Sequence, residues 1–203
     1  MASAVQYAVV LLSLAVAVLE CGGISQKTRC VSHAPCFDLL LLEKTVWQVS
    51  KDVPAADSEN ILLKSQTFDK IRKRKDLHSC VLQKIIDFYV NVLSYAWNNS
   101  SDHHISHGMN YHLELITMMD TLRSCVYKMN EICEMLCQKA AQQPNLEISE
   151  ADMTPEEVAI HQLQKLNSAS DRLNDTSIQE RAMDELKSLH NYIPGRGFRK
   201  TNG

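Results

Sequence analysis

The chain has 203 residues, a formal charge of −3, and only 6 glycines and 5 prolines. That mildly acidic balance lacks the cationic excess of a nucleic-acid binder, and the absence of β-branched alternation with so few turn residues excludes a sheet protein. One all-α domain is the expectation.

The first segment, "MASAVQYAVVLLSLAVAVLECGG", has an apolar run from Ala8 to Leu19 broken only by Ser13. It is too short for a membrane span and suits the core of a signal peptide, with cleavage after the small residues at Gly23. Residues 1–23 are therefore expected to be a signal peptide, 24–193 a helical domain, and 194–203 a flexible basic tail. The mature chain is expected to be secreted, extracellular and without stable membrane insertion, because no second long apolar run follows.

Six helical segments follow in order. The first is expected from about Phe37 to Ser50, with Leu39, Leu42, Val46 and Val49 inward, and "KDVPAAD" stops it through Pro54. A short second segment covers Glu59 to Leu63. The third begins near Thr67 and includes "SCVLQKIIDFYVNVLSYAWNNSS", where Val81, Ile85, Phe88, Val92 and Tyr95 form one stripe. Leu82, Ile86, Tyr89 and Leu93 form a second, so neighbouring helices must cover this one from several sides. A fourth helix is expected from Met109 to about Lys139, followed by a polar link from Ala140 to Met153. The fifth opens at "TPEE", where Thr154 caps, Pro155 takes the first helical position and Glu157 completes a capping box. The sixth runs from Ser177 to Ile193, with Ile178, Ala182, Leu186 and Leu189 inward, and Pro194–Gly195 ends it.

Asn98, Asn99 and Asn174 each open an N-x-S/T sequon, which has meaning only in the secretory pathway. Removal of Cys21 with the signal leaves Cys30, Cys36, Cys80, Cys125, Cys133 and Cys137, an even number suited to disulfides in an oxidising compartment. No CxxC pair is present, which argues against zinc. The run "RKRK", Arg72, Lys73, Arg74 and Lys75, reads either as a solvated helix face or as a contact for heparan sulfate or an acidic receptor patch. "DHHISH" with His112 reads as a titrating turn or, on a helix, as a metal site; a turn is the expectation, with no metal and no cofactor. Trp47 is expected partly buried beside the inward stripe, and Trp97 against the core. Ser-His-Asp order, a phosphate loop and HExxH are all missing, so no enzyme is expected.

The order of these elements and cysteines resembles the interleukin-10 family of helical cytokines. "ENILLKSQTFDKIRKRKDLHSCVLQKIIDFYVNVL" looks like that family's second and third helices, "MMDTLRSCVYKMNEIC" like its fourth, and "QERAMDELKSLHNYI" like its last. The likeness runs from about Thr28 to Ile193 and is nearest the interleukin-20, interleukin-26 and interleukin-22 subgroup. It implies a compact bundle of about six helices with a four-helix cytokine core. It also implies pairing of two class II receptor chains, with Janus-kinase and STAT signalling in immune or epithelial responses. The matching receptor-contact positions are Lys44 and Lys51 from the first helix region and Arg181, Glu185 and Lys187 from the last. The resemblance further implies Cys30–Cys125 and Cys80–Cys133 bridges, leaving Cys36 with Cys137. The link from Ala140 to Met153 is long enough for the last helices to fold back on their own bundle, so a monomer is expected over a helix-swapped dimer. The competing reading is a secreted helical carrier of a lipid or other apolar ligand.

Overall fold

A computed structural model describes residues 37–99, 106–126, 131–143 and 149–193. All of them belong to one compact unit, His33–Lys200. The expected signal peptide and basic tail lie outside the described residues. Seven α-helices and one short 3₁₀ helix account for the secondary structure, and no strand occurs among the described residues. The helices are α1 (Leu39–Ser50), α2 (Ser65–Arg72), α3 (Lys75–Asn99), α4 (Ser106–Cys125), α5 (Glu131–Gln142), α6 (Pro155–Asp171) and α7 (Thr176–Leu186), followed by the 3₁₀ turn Leu189–Tyr192. No described helix is long and apolar enough to cross a membrane.

The centre of the bundle is α3. It packs against α2, α4, α5, α6 and α7. Val81, Leu82, Ile85, Ile86, Phe88, Tyr89, Val92 and Leu93 are all buried, which is how two adjacent apolar stripes become a nearly all-round core. Burial of each large side chain is worth about 1.5–3 kcal/mol, so this one helix supplies a large share of the driving force.

Local chemistry sets the helix starts. The Asp38 carboxylate accepts the amides of Leu40 and Leu41 at 3.0 and 3.1 Å and caps α1. Thr154 and Glu157 form the expected capping box at α6, with Pro155 in the first turn. Asp175 caps α7 through the Ser177 amide at 2.9 Å.

Four expected elements differ. The Glu59–Leu63 segment is not helical; Ile61, Leu62 and Leu63 are buried in succession, which a helix covered on one face cannot achieve. The third expected helix is broken at Lys73–Arg74, where the Arg74 amide turns back to the Ile71 carbonyl at 2.9 Å and the Arg74 carbonyl accepts the first bond of α3. The fourth is likewise divided, since α4 ends at Cys125 and α5 starts at Glu131. The last helix ends at Leu186, and the 3₁₀ turn carries Leu189 and Tyr192 into the core.

Candidate interaction surface

The segment from Val53 to Leu63 has no helix or sheet to satisfy its backbone, so its polar groups need partners elsewhere. Helix α7 provides most of them. Arg181 donates to the carbonyls of Ala56 and Ser58, and Asp184 accepts the Ala56 amide at 3.4 Å. Glu185 Oε1 accepts the Ile61 amide at 2.9 Å and its Oε2 accepts the Leu62 amide at 2.8 Å. Lys187 Nζ donates to the Val53 carbonyl at 3.0 Å and pairs with Asp184 at 3.1 Å. Deeper in, Gln162 of α6 closes the segment from its other side. Its Oε1 accepts the Leu63 amide at 2.8 Å, and its Nε2 donates to the Ile61 carbonyl at 2.9 Å. Tyr192 Oη donates to the Leu63 carbonyl at 2.6 Å.

Arg181, Glu185 and Lys187 are thus brought together, and they hold a loop in place. Burial raises the Glu185 carboxyl above the ordinary glutamate range, while the two amides and Arg181 draw it back. Asp184, Gln162 and Tyr192 belong to the same clamp, and nothing in the local sequence pattern marks them for it. The signal was an apolar run, Ile61–Leu63, whose burial as a loop creates backbone groups in need of side-chain partners.

Lys44 and Lys51 stand apart from the clamp, on the outward side of α1. With Leu40 and Trp47 they follow helical spacing, at positions 40, 44, 47 and 51, which places them on one face. Leu40 is 77 % exposed and Trp47 58 %. Trp47 is thus a surface residue, contrary to the partial burial expected, because Leu42, Thr45, Val46 and Ser50 form the face that packs inward. The inner face meets α4 and α7. Both lysines are exposed and make no ion pair among the described residues.

The basic run sits at the α2–α3 break. Arg72 pairs with Asp69 at 3.1 Å and donates to the Asn191 carbonyl, and Arg74 pairs with Asp76 at 3.1 Å. Lys73 and Lys75 remain exposed. Of the histidine cluster, His103 and His104 lie outside the described residues, while His112 Nε2 is paired with the Leu93 carbonyl at 3.0 Å. Asn174 is exposed in the turn between α6 and α7; Asn98 and Asn99 fall in the last turn of α3, and Trp97 precedes them with its side chain outside the description.

Cys80 on α3 and Cys133 on α5 form a disulfide with a Cα–Cα distance of 5.3 Å. Cys125 is also disulfide-bonded; Cys30 and Cys36 lie outside the described residues. Cys137 carries a free thiol. The expected Cys36–Cys137 bridge is therefore not made: one turn beyond Cys133 on α5, Cys137 directs its sulfur at the existing bridge, and the three Sγ atoms lie within 4.8 Å of one another.

An open cleft of about 290 Å³ lies beside the clamp, lined by Glu59, His161, Gln164, Lys165, Arg172 and Ile178 among others. Lys165 pairs with Glu59 across it at 2.5 Å, which holds the Glu59 carboxyl below the ordinary range. Comparison with protein-family models, curated proteins and solved structures returned no match to this chain.

Proposed function

We propose that this chain is a secreted helical cytokine of the interleukin-10 type, acting by binding and pairing two class II receptor chains. The observation that carries the reading is the outward face of α1. It keeps Leu40 and Trp47 in solvent, with Lys44 between them and Lys51 one turn further on, where the chain enters the loop that α7 holds by its backbone. An exposed tryptophan with basic neighbours on a preorganised surface has the composition of a binding hot spot: it supplies a large apolar contact at small entropic cost. Signalling then needs no chemistry from the chain, only two receptor-binding faces on one rigid body.

In this reading Lys44 and Lys51 contact the receptor directly, whereas Arg181, Glu185 and Lys187 shape the adjoining loop. The chain acts as a monomer, with α6 and α7 packed on α3 of their own bundle. A carrier of apolar ligands is disfavoured by the charged and amide groups lining the cleft beside the clamp. A surface-binding screen of the secreted protein against soluble class II receptor ectodomains tests the proposal. Saturable binding to one ectodomain, lost in Trp47→Ala, is expected; absence of binding across the panel at micromolar concentration rejects it.

A further inference from the structure

The sulfur cluster at the α3–α5 contact combines a formed disulfide with an unpaired thiol in reach of it. Cys80 and Cys133 are 3 % and 1 % exposed, whereas Cys137 is half-buried. We propose that Cys137 is the internal nucleophile of a disulfide exchange that moves the α3–α5 staple one helical turn along α5. The Cys137 thiolate attacks Cys80 Sγ. A Cys80–Cys137 bond forms as the Cys80–Cys133 bond breaks, and Cys133 leaves as a thiolate that takes up the proton Cys137 gave up. One disulfide and one thiol are present before and after, so no oxidant or reductant is consumed.

Attack at Cys80 rather than at Cys133 follows from helix geometry. Residues four apart on a helix have Cβ atoms about 5–6 Å apart, beyond the ~3.5–4.5 Å of a disulfide, so a Cys133–Cys137 bridge would distort α5. Cys80 belongs to the facing helix and already bonds to α5 across the same contact. The new bridge closes a loop only four residues longer than the present separation of 53, so chain entropy scarcely distinguishes the isomers.

The two isomers differ in where the spare thiol resides. With Cys80–Cys133 formed it is the half-buried Cys137, open to oxidation and to pairing with a second molecule. With Cys80–Cys137 formed it is Cys133, at a position closed to solvent. Exchange therefore lets an oxidised protein shelter its unpaired cysteine without losing the staple between α3 and α5.

The test is disulfide mapping of the full secreted chain, quenched in acid, alkylated and digested without reduction. Wild type is expected to yield both Cys80–Cys133 and Cys80–Cys137 peptides, and Cys137→Ser only the first. Cys133→Ser is expected to form Cys80–Cys137 and to keep a cooperative unfolding transition. Wild type alone decides the matter should that variant fail to fold. Recovery of Cys80–Cys133 as the sole partner of Cys80, with Cys137 fully alkylated or bridged to Cys36, overturns the proposal. A folded Cys133→Ser protein in which Cys80 and Cys137 both alkylate overturns it equally.

Discussion

Glu185 Oε2 accepts the amide of Leu62 at 2.8 Å, joining residues 123 apart in sequence, and the same carboxylate holds the neighbouring amide with its other oxygen. A buried loop is stabilised in this way by one side chain that replaces two missing secondary-structure bonds. Glu185→Ala is expected to lower stability by about 2–4 kcal/mol, because two amides lose their acceptors in a site with little water. Urea unfolding measures the loss, and hydrogen exchange should show the Ile61 and Leu62 amides opening first. An unchanged midpoint would remove Glu185 from the clamp.

Charge reversal at Glu185 is consequently a poor probe of receptor contact, since it disturbs the loop itself. The clean probes are on α1. Trp47→Ala and Lys44→Glu are expected to leave stability within about 0.5 kcal/mol, as exposed positions generally do. A central anchor lost from an interface costs about 2 kcal/mol or more, some thirtyfold in affinity, so Trp47→Ala should accelerate dissociation from the receptor chain. Lys44→Glu should act more on association and its salt dependence. Affinity unchanged in both variants would place the receptor elsewhere.

Much of the fold was legible because it is written in local pattern. The double stripe of α3 requires cover on several sides, and Thr154, Pro155 and Glu157 specify the start of α6 without reference to anything distant. The Ile61–Leu63 segment was not legible in the same way. Three consecutive apolar residues fit the end of a helix as well as a buried loop, and the deciding groups, Gln162, Glu185 and Tyr192, lie about a hundred residues or more away. The candidate site divided on the same principle. Lys44 and Lys51 could be placed by helical spacing, whereas the roles of Arg181, Glu185 and Lys187 depended on a loop path that spacing does not encode. Trp47 adjoins the inward stripe in sequence yet faces solvent, a difference of helix face that its neighbours in sequence do not reveal.

Tyr89 offers a test of core packing. Its hydroxyl is fully buried with no hydrogen-bond partner among the described residues, and burial pushes its ionisation well above the ordinary range. Tyr89→Phe removes a polar atom whose desolvation is uncompensated and keeps the ring that packs edge-on to Phe88. Stability is expected to stay level or rise by up to about 1–2 kcal/mol in chemical denaturation. A loss above about 1 kcal/mol would show that the hydroxyl has a partner worth keeping.

Acid is expected to weaken the fold through the buried His78 and the partly buried His112 and His161. Burial lowers His78, His112 and His161 below the ordinary histidine value near 6.5, and Arg72 further disfavours charge on His78. Between 6.5 and these lowered values the unfolded chain binds more protons than the folded one. Stability is therefore full above about pH 6.5 and falls as pH drops below it, His78 alone contributing a slope of up to about 1.4 kcal/mol per pH unit. Glu185 acts in the opposite sense: its raised carboxyl favours the folded state below the ordinary glutamate value, and that contribution is lost as pH rises through the raised one. Denaturation midpoints at pH 7.5 and 5.5 should fall toward acid in wild type and less steeply in His78→Gln. Equal slopes in the two proteins would contradict the assignment to His78.

One copy of this chain is proposed to hold two receptor chains, and the mass of the assembled complex tests this most directly. Purified protein mixed with the ectodomain identified by the binding screen, together with each remaining class II ectodomain in turn, is resolved by size-exclusion chromatography with light scattering. For one pairing, a complex containing one copy of each of three chains is expected, diminished when Trp47→Ala replaces wild type. Elution of the protein alone from every mixture, or a complex that never admits a second receptor chain, would contradict it.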